Sequence, residues 1–304
     1  MSQSFTDFLK LSDVEYIREF DLSSISSMRV GGKAKYLVKP DDDEKFIRVL
    51  DFLVQKNLKY IVVGGMTNTL PSDEFYNGAV ISTANLRCYS IAENIITVGS
   101  GVKLSELIIK ASRLGLGGAE ALFGIPGSVG GAVCGNAGAY GRSVSDFLTE
   151  ACIYNPQTKA IVNLSNEKMC FSYRESCVKR SSLVILSASF SFEEKTIEKI
   201  KNDFCKYITL RKNAQPYGAR SLGSIFKRCG DVPTSQLIDR LGLKGYRIGG
   251  AQVSEKHAGF IINSGGATAK NIRDLIIEIK KRLFLEYGLS AEEEIQYMEV
   301  VERV

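Results

Sequence analysis

The chain has 304 residues, 44% hydrophobic and 24% charged, with a formal net charge of +5. That length can bury a large core, and two domains are its natural division. The charge is too mild to argue for nucleic acid, no run approaches the roughly 18 apolar residues of a membrane span, and one histidine among seven unspaced cysteines leaves a structural zinc site without ligands.

In chain order, DDDEKFIRVLDFLVQKN after Pro40 predicts a helix. Acidic residues fill its first turn, and Phe46, Val49, Leu50, Leu53 and Val54 fall on one face. KYIVVGG switches to a short β-branched run stopped by Gly64, which predicts a buried strand; GAVIST and NIITVGSG are further strands. KLSELIIKASRLG is a second helix, with Leu104, Leu107, Ile108 and Ala111 on one face and Gly115 as its stop. EACIYNP, KAIVNL and SLVILSASFSF then read as strands, and TIEKIKNDFCKYITLRKN as a helix ending before Gln215-Pro216. The remainder holds a short helix around Thr234 to Leu241, an alternating run RIGGAQVSEKHAGFIIN, and a long helix from about Thr268 to Tyr287 set off by Gly288. Helices and strands mix without a regular βαβαβ rhythm, so an α+β arrangement is expected, with a boundary near residue 200. The start MSQSFTDFLKLSD has no signal-peptide pattern, and the odd cysteine count predicts free thiols in a reducing cytoplasm.

Two glycine-bearing loops follow strands. One is VVGGMTNTLPSD, residues 62–73; the other is GIPGSVGGAVCGNAGAYG, residues 124–141, where seven residues are glycine. Glycine loses more conformational freedom on ordering than any other residue, so such a run needs a reason. Successive N–H groups can curl around a phosphate, and Asn68 and Ser128 add polar side chains. Neither loop is a P-loop, since no Gly-Lys-Ser/Thr follows, and neither matches G-x-G-x-x-G. Tight turns at a packed junction explain either loop alone. Two long ones favour a large phosphorylated cofactor.

The loops belong to a longer series: SSMRVGGKA (26–34), GGMTN (64–68), the glycine cluster, FSYRES (171–176), SLGSIFK (221–227), GLKGYRIGGAQVSEKHAGFIIN (242–263) and EEEIQ (292–296). In that order the chain resembles the UDP-N-acetylenolpyruvoylglucosamine reductase family over nearly its whole length, and looks like its shorter form. The resemblance implies a two-subdomain FAD-binding fold of the vanillyl-alcohol-oxidase (PCMH) type over residues 1–200, split near residue 77. An α+β substrate-binding domain follows over 201–304, with a last strand, about 291–304, that can return to the FAD-binding part. The implied reaction reduces UDP-N-acetylglucosamine enolpyruvate to UDP-N-acetylmuramate for peptidoglycan synthesis, with NADPH reducing FAD and the flavin delivering hydride. A small-molecule substrate, no nucleic-acid or membrane partner, a monomer and a cytoplasmic location go with it. No histidine lies near the glycine loops, so FAD is expected to be held noncovalently.

In that family both glycine loops wrap the cofactor. The implied contacts are Gly64, Gly65, Thr67 and Asn68 in the first loop. In the second they are Ile125, Pro126, Gly127, Ser128, Gly130 and Gly131, with Asn136, Gly138, Ala139 and Tyr140. The family usually has three glycines before Ser-Asn; here Met66 and Thr67 stand at the third glycine and the serine, and a positive φ at Met66 would be strained. Arg174 is the implied catalytic cation and a substrate contact, because a guanidinium holds a carboxylate bidentately. Ser224 is the implied proton donor, and Glu294 would donate a hydrogen bond or orient Arg174. Tyr173, Lys227 and Arg228 are implied substrate contacts, the two cations meeting the diphosphate. Arg228-Cys229 replaces the frequent Asn-Pro, and Gln296 the usual arginine. His257 reads as structural, Cys134 and the other cysteines as buried small residues, and no metal ligand is expected. A flavin oxidase with another substrate would leave the C-terminal motifs unexplained. A catalytically silent flavin-binding protein would leave Arg174, Ser224 and Glu294 unexplained.

Overall fold

The computed structural model describes residues 4–298, so of the strand expected at about 291–304 residues 299–304 lie outside the described residues. The chain divides into two compact units, each discontinuous in sequence. One comprises residues 1–18, 36–65 and 78–209, the other residues 19–35, 66–77 and 210–304.

In the first unit the helix Asp43–Gln55 begins where its acidic run predicts. Asp42 caps it by accepting from the Lys45 N–H at 2.6 Å, and Phe46, Val49, Leu50 and Leu53 are buried. Burying each such side chain contributes about 1.5–3 kcal/mol. They pack with Phe5 and Leu9 of the helix Phe5–Leu11 on Val38, Ala79 and Ile81. The sheet there has the order Glu15–Asp21, Lys33–Lys39, Tyr76–Ser82, Tyr60–Val63. Its last pair is parallel, with Val63 opposite Ser82, so the first glycine loop leaves from the same edge at which Tyr76–Ser82 ends.

The same unit holds a five-stranded sheet in the order Ala160–Ser165, Leu148–Asn155, Val184–Ser191, Ile95–Gly99, Tyr89–Ala92, antiparallel throughout. The helix Leu104–Arg113 buries Leu104, Leu107, Ile108 and Ala111 in its core and stops before Gly115 at φ 75°. A short helix inside the glycine cluster, Val129–Cys134, adds Val129 and Val133. Periodicity did not show it, because three small residues and two valines make too weak a pattern.

The second unit is built on an antiparallel sheet in the order Ser221–Ser224, Phe260–Asn263, Ala251–Val253, Arg247–Ile248. The helix Ala269–Tyr287 packs Ile272, Leu275, Ile276, Ile279 and Leu283 into its core. Thr268 and Asn271 form a capping box, and the Asp73 carboxylate accepts from the Ala269 and Lys270 N–H groups, both at 2.8 Å. Gly288 closes the helix at φ 66°. Thr69–Pro71 pairs in parallel with Gln296–Met298, Gln296 opposite Thr69. Asp73 and this pair hold residues 66–77 in the second unit. Among the described residues no helix is long and apolar enough to cross a membrane.

Candidate functional site

The parallel strand pair delivers Gly64 against the second glycine loop. A Cβ on Gly64 would lie 2.3 Å from Ser128 Oγ, the atom that caps the helix Val129–Cys134 by accepting from the Gly131 N–H at 3.3 Å. A third glycine turn, Gly99-Ser100-Gly101, supports both. The Gly130 N–H donates to the Ser100 carbonyl at 2.9 Å, and a Cβ on Gly130 would stand 2.8 Å from Ser100 Cβ. A Cβ on Gly101 would fall 1.9 Å from the Thr83 carbonyl oxygen. Packing therefore demands glycine at 64, 101 and 130. It does not at 131, where the nearest atom to a new Cβ is Ser128 Oγ at 3.6 Å. The sequence reading missed the third turn, although GSG after IITV was a visible signal.

This packing leaves donors unused. Among the described residues the N–H groups of Gly64, Gly65, Gly127 and Ser128 take no partner within the chain, and neither does the buried Ser100 Oγ. Gly127 stands at φ 123°, which turns the chain into the helix without a side chain in the way. Four donors on two bare loops that touch at Gly64 and Ser128 suit a diphosphate, whose oxygens accept several N–H bonds at once. In the rest of the cluster Asn136 and Tyr140 are left-handed, at φ 40° and 53°, and Gly138–Ala139 pairs with Arg142–Ser143. The Tyr140 ring lies 5.4 Å from Tyr207 and the Phe123 ring 4.9 Å from Phe204, which braces the cluster on the helix Ile197–Ala214.

The FSYRES turn is strapped to the same cluster. Ser172 and Glu175 exchange two backbone hydrogen bonds of 3.2 Å around Tyr173-Arg174. Arg174 is left-handed at φ 58°, in the position where a type II turn usually takes Gly or Asn. Asn136 Nδ2 donates to the Ser172 carbonyl at 3.0 Å, Arg174 Nη2 to the Gly138 carbonyl at 2.9 Å, and Ser176 Oγ to the Cys134 carbonyl at 2.7 Å. Asn136 Oδ1 also accepts from the Ser145 N–H at 3.1 Å, so both ends of its amide bind protein. The Arg174 guanidinium lies 5.1 Å from the ring of the half-exposed Tyr173. Lys179, which the sequence reading passed over, donates from Nζ to the Arg174 carbonyl at 2.7 Å.

The other predicted residues lie in the second unit. Ser224 ends its strand after Gly223, at φ 79°, and its Oγ donates to the Phe226 carbonyl at 3.2 Å, long for a hydroxyl. The following residues pair with the acidic triplet. The Glu294 N–H donates to the Ile225 carbonyl at 2.8 Å and the Lys227 N–H to the Glu292 carbonyl at 2.9 Å, with Phe226 opposite Glu293. Ser224 and Glu294 thus sit on neighbouring paired segments. Asn68 joins them, because its Nδ2 donates to the Glu294 carbonyl at 3.1 Å and its own carbonyl accepts from the Gln296 N–H at 2.8 Å. Glu292 pairs with the buried Lys227 at 2.7 Å and Glu293 with Lys280 at 2.7 Å, so the triplet is no uniform solvated face. Arg228 is exposed and donates to the Asp231 carbonyl. Met66 is buried at φ 46°, the strained conformation anticipated for it, while Thr67 is half-buried.

His257 Nδ1 accepts from the Gly259 N–H at 3.1 Å, and burial lowers the pKa of the ring, which suits a structural role. Burial pushes the Cys134 thiol up to about 11. Cys88, Cys170 and Cys205 are exposed and Cys134, Cys152, Cys177 and Cys229 half-buried, which corrects the reading of the cysteines as buried. Among the described residues no three His, Cys, Asp or Glu side chains are grouped to hold a metal ion.

Residues 34–162 match the family described as FAD binding domain, and residues 215–298 match UDP-N-acetylenolpyruvoylglucosamine reductase, C-terminal domain. The first match contains all three glycine turns, and the unused donors on them fit the diphosphate of FAD. A UDP-N-acetylenolpyruvoylglucosamine reductase of Caldicellulosiruptor bescii is 40% identical over 97% of this chain and 94% of its own. One of Thermotoga maritima is 40% identical over 90% of this chain and 96% of its own. The crystal structure of UDP-N-acetylenolpyruvylglucosamine reductase from Thermus caldophilus is similar with a TM-score of 0.80 at 30% identity, over 93% of this chain and 98% of that one.

Proposed function

The chain belongs to the UDP-N-acetylenolpyruvoylglucosamine reductase family, and on that footing we propose that it reduces UDP-N-acetylglucosamine enolpyruvate to UDP-N-acetylmuramate. The proposal includes NADPH as reductant, FAD held without a covalent link, and a monomer working in the cytoplasm on peptidoglycan precursors. Gly64, Gly65, Gly127 and Ser128 would hold the FAD diphosphate through their N–H groups, and Gly131 would leave room for it. When bound, FAD supplies the hydride for the terminal carbon of the enolpyruvyl group.

The chain's own residues manage the charge and the proton. Negative charge builds at the adjoining carbon and spreads into the carboxylate, where Arg174 binds it with a group that stays ionised. The Ser224 hydroxyl delivers its proton to that carbon. Its resting hydrogen bond to the Phe226 carbonyl is long and lets the hydroxyl be redirected. Glu294, on the segment paired with the residues after Ser224, donates a hydrogen bond to the developing charge, and Lys227 with Arg228 meets the diphosphate of the sugar nucleotide. The observation that carries this reading is Arg174. It is an arginine held left-handed where glycine is usual, and its guanidinium is bonded to the cofactor loop at Gly138.

Anaerobic single-turnover mixing tests the proposal. NADPH should bleach the flavin, and UDP-N-acetylglucosamine enolpyruvate should restore its colour. Ser224→Ala should keep the first step and slow the second by about 10²–10⁴-fold. A reduced wild-type enzyme that the substrate fails to reoxidise would end the proposal.

A further inference from the structure

Beneath the FSYRES turn lies a cation that the proposed chemistry does not use. The Lys179 side chain is only 10% exposed. Its Nζ donates to the Arg174 carbonyl at 2.7 Å and stands 3.6 Å from Glu175 Oε1, an oxygen that also takes Arg180 at 3.0 Å. Covering an ammonium costs free energy unless its donors are used, and here one of them is used on a single backbone carbonyl. That carbonyl belongs to the one residue of the turn whose φ is positive. Were the Arg174–Glu175 peptide to turn over, ψ of Arg174 and φ of Glu175 would change together, the carbonyl would leave Nζ, and the backbone that carries the guanidinium at Gly138 would shift.

We infer that Lys179 is a positioning residue for the reaction: it clamps the Arg174–Glu175 peptide so that the Arg174 guanidinium is already aimed when the substrate carboxylate arrives. The inference rests on the role proposed for Arg174, and Lys179 acts through that residue. Glu175 balances the charge, since it holds Lys179 and Arg180 together under the turn.

Four variants of the holoenzyme test it, each read in both half-reactions. Lys179→Met keeps the apolar stem and removes the donor. NADPH should reduce its flavin at the wild-type rate, while reoxidation by UDP-N-acetylglucosamine enolpyruvate should slow on the order of 10²-fold, the scale of a roughly 1 Å misplacement. Lys179→Arg retains a donor and should recover most of that loss. Arg174→Ala should itself slow reoxidation by about 10²–10³-fold, and adding Lys179→Met to it should change little. Wild-type reoxidation in Arg174→Ala would remove the role of Arg174 and the inference with it. If Arg174→Ala is slow, the inference alone is overturned by wild-type reoxidation in Lys179→Met, by its full effect persisting in the double variant, or by equal loss in both half-reactions.

Discussion

Replacing Gly131 with alanine should make the flavin-free protein more stable and its grip on FAD weaker. Gly131 is an exposed residue in the first turn of the helix Val129–Cys134, and its φ is not positive. A Cβ there meets only Ser128 Oγ, at 3.6 Å, an ordinary contact. Alanine in place of glycine favours a helix by about 0.5–1 kcal/mol, so the flavin-free fold should gain roughly that much. If FAD lies against the bare backbone, the new methyl overpacks the contact at a cost of about 1–3 kcal/mol. That is about 5- to 150-fold in Kd. Urea unfolding of the flavin-free protein reads the first effect, and a flavin-fluorescence titration reads the second. An FAD affinity within about twofold of wild type would refute the reasoning that this glycine serves the cofactor. A destabilised flavin-free protein would refute the packing argument.

Gly101→Ala should behave in the opposite way, because its Cβ would fall 1.9 Å from a backbone oxygen that cannot rotate away; urea unfolding should show a loss of about 1–3 kcal/mol or more. Thr268→Ala removes the N-cap of the helix Ala269–Tyr287 and should lower stability by about 1 kcal/mol in the same assay, with wild-type stability counting against the cap. Burial holds the His257 pKa below its usual 6.5, so the unfolded chain takes up the proton first. Stability from this group is therefore level above about pH 6.5 and falls as pH drops below it, by at most about 1.4 kcal/mol per pH unit, until the folded pKa is passed. His257→Gln should abolish that slope, and an unchanged slope would exclude His257 as its source.

Local pattern was enough for much of this fold. The helix Asp43–Gln55 was legible because its acidic start, its 3–4 residue apolar spacing and its burial all agree. The excursions at 19–35 and 66–77 were not, since Asp73 meets the Ala269 N–H from 196 residues away and no local period records that. RIGGAQVSEKHAGFIIN showed its alternation but not its three short strands, which Gly249 interrupts at φ 54°. In the candidate site, Arg174, Ser224 and Glu294 became visible only through the family motifs. Lys179 stayed hidden because Lys-Arg after FSYRES reads as ordinary surface. Its significance lies in a backbone carbonyl that only the folded turn presents.

The strained backbone follows the same division. Among the described non-glycine residues at positive φ, Met66, Asn136, Tyr140 and Arg174 lie in the stretches implied to meet cofactor or substrate, while others, such as Asn57 and Lys159, sit beside a helix end and in a hairpin. A left-handed L-residue costs roughly 1–2 kcal/mol, and a typical hydrogen bond returns about 0.5–1.5 kcal/mol net. At Arg174 the reciprocal Ser172–Glu175 bonds, the three straps to the glycine cluster and the Lys179 clamp together outweigh that strain. No single one of them decides whether the turn forms. Losing the clamp should therefore leave the turn folded but less sharply set, which is why its removal is expected in the rate of substrate reduction and not in the yield of folded protein.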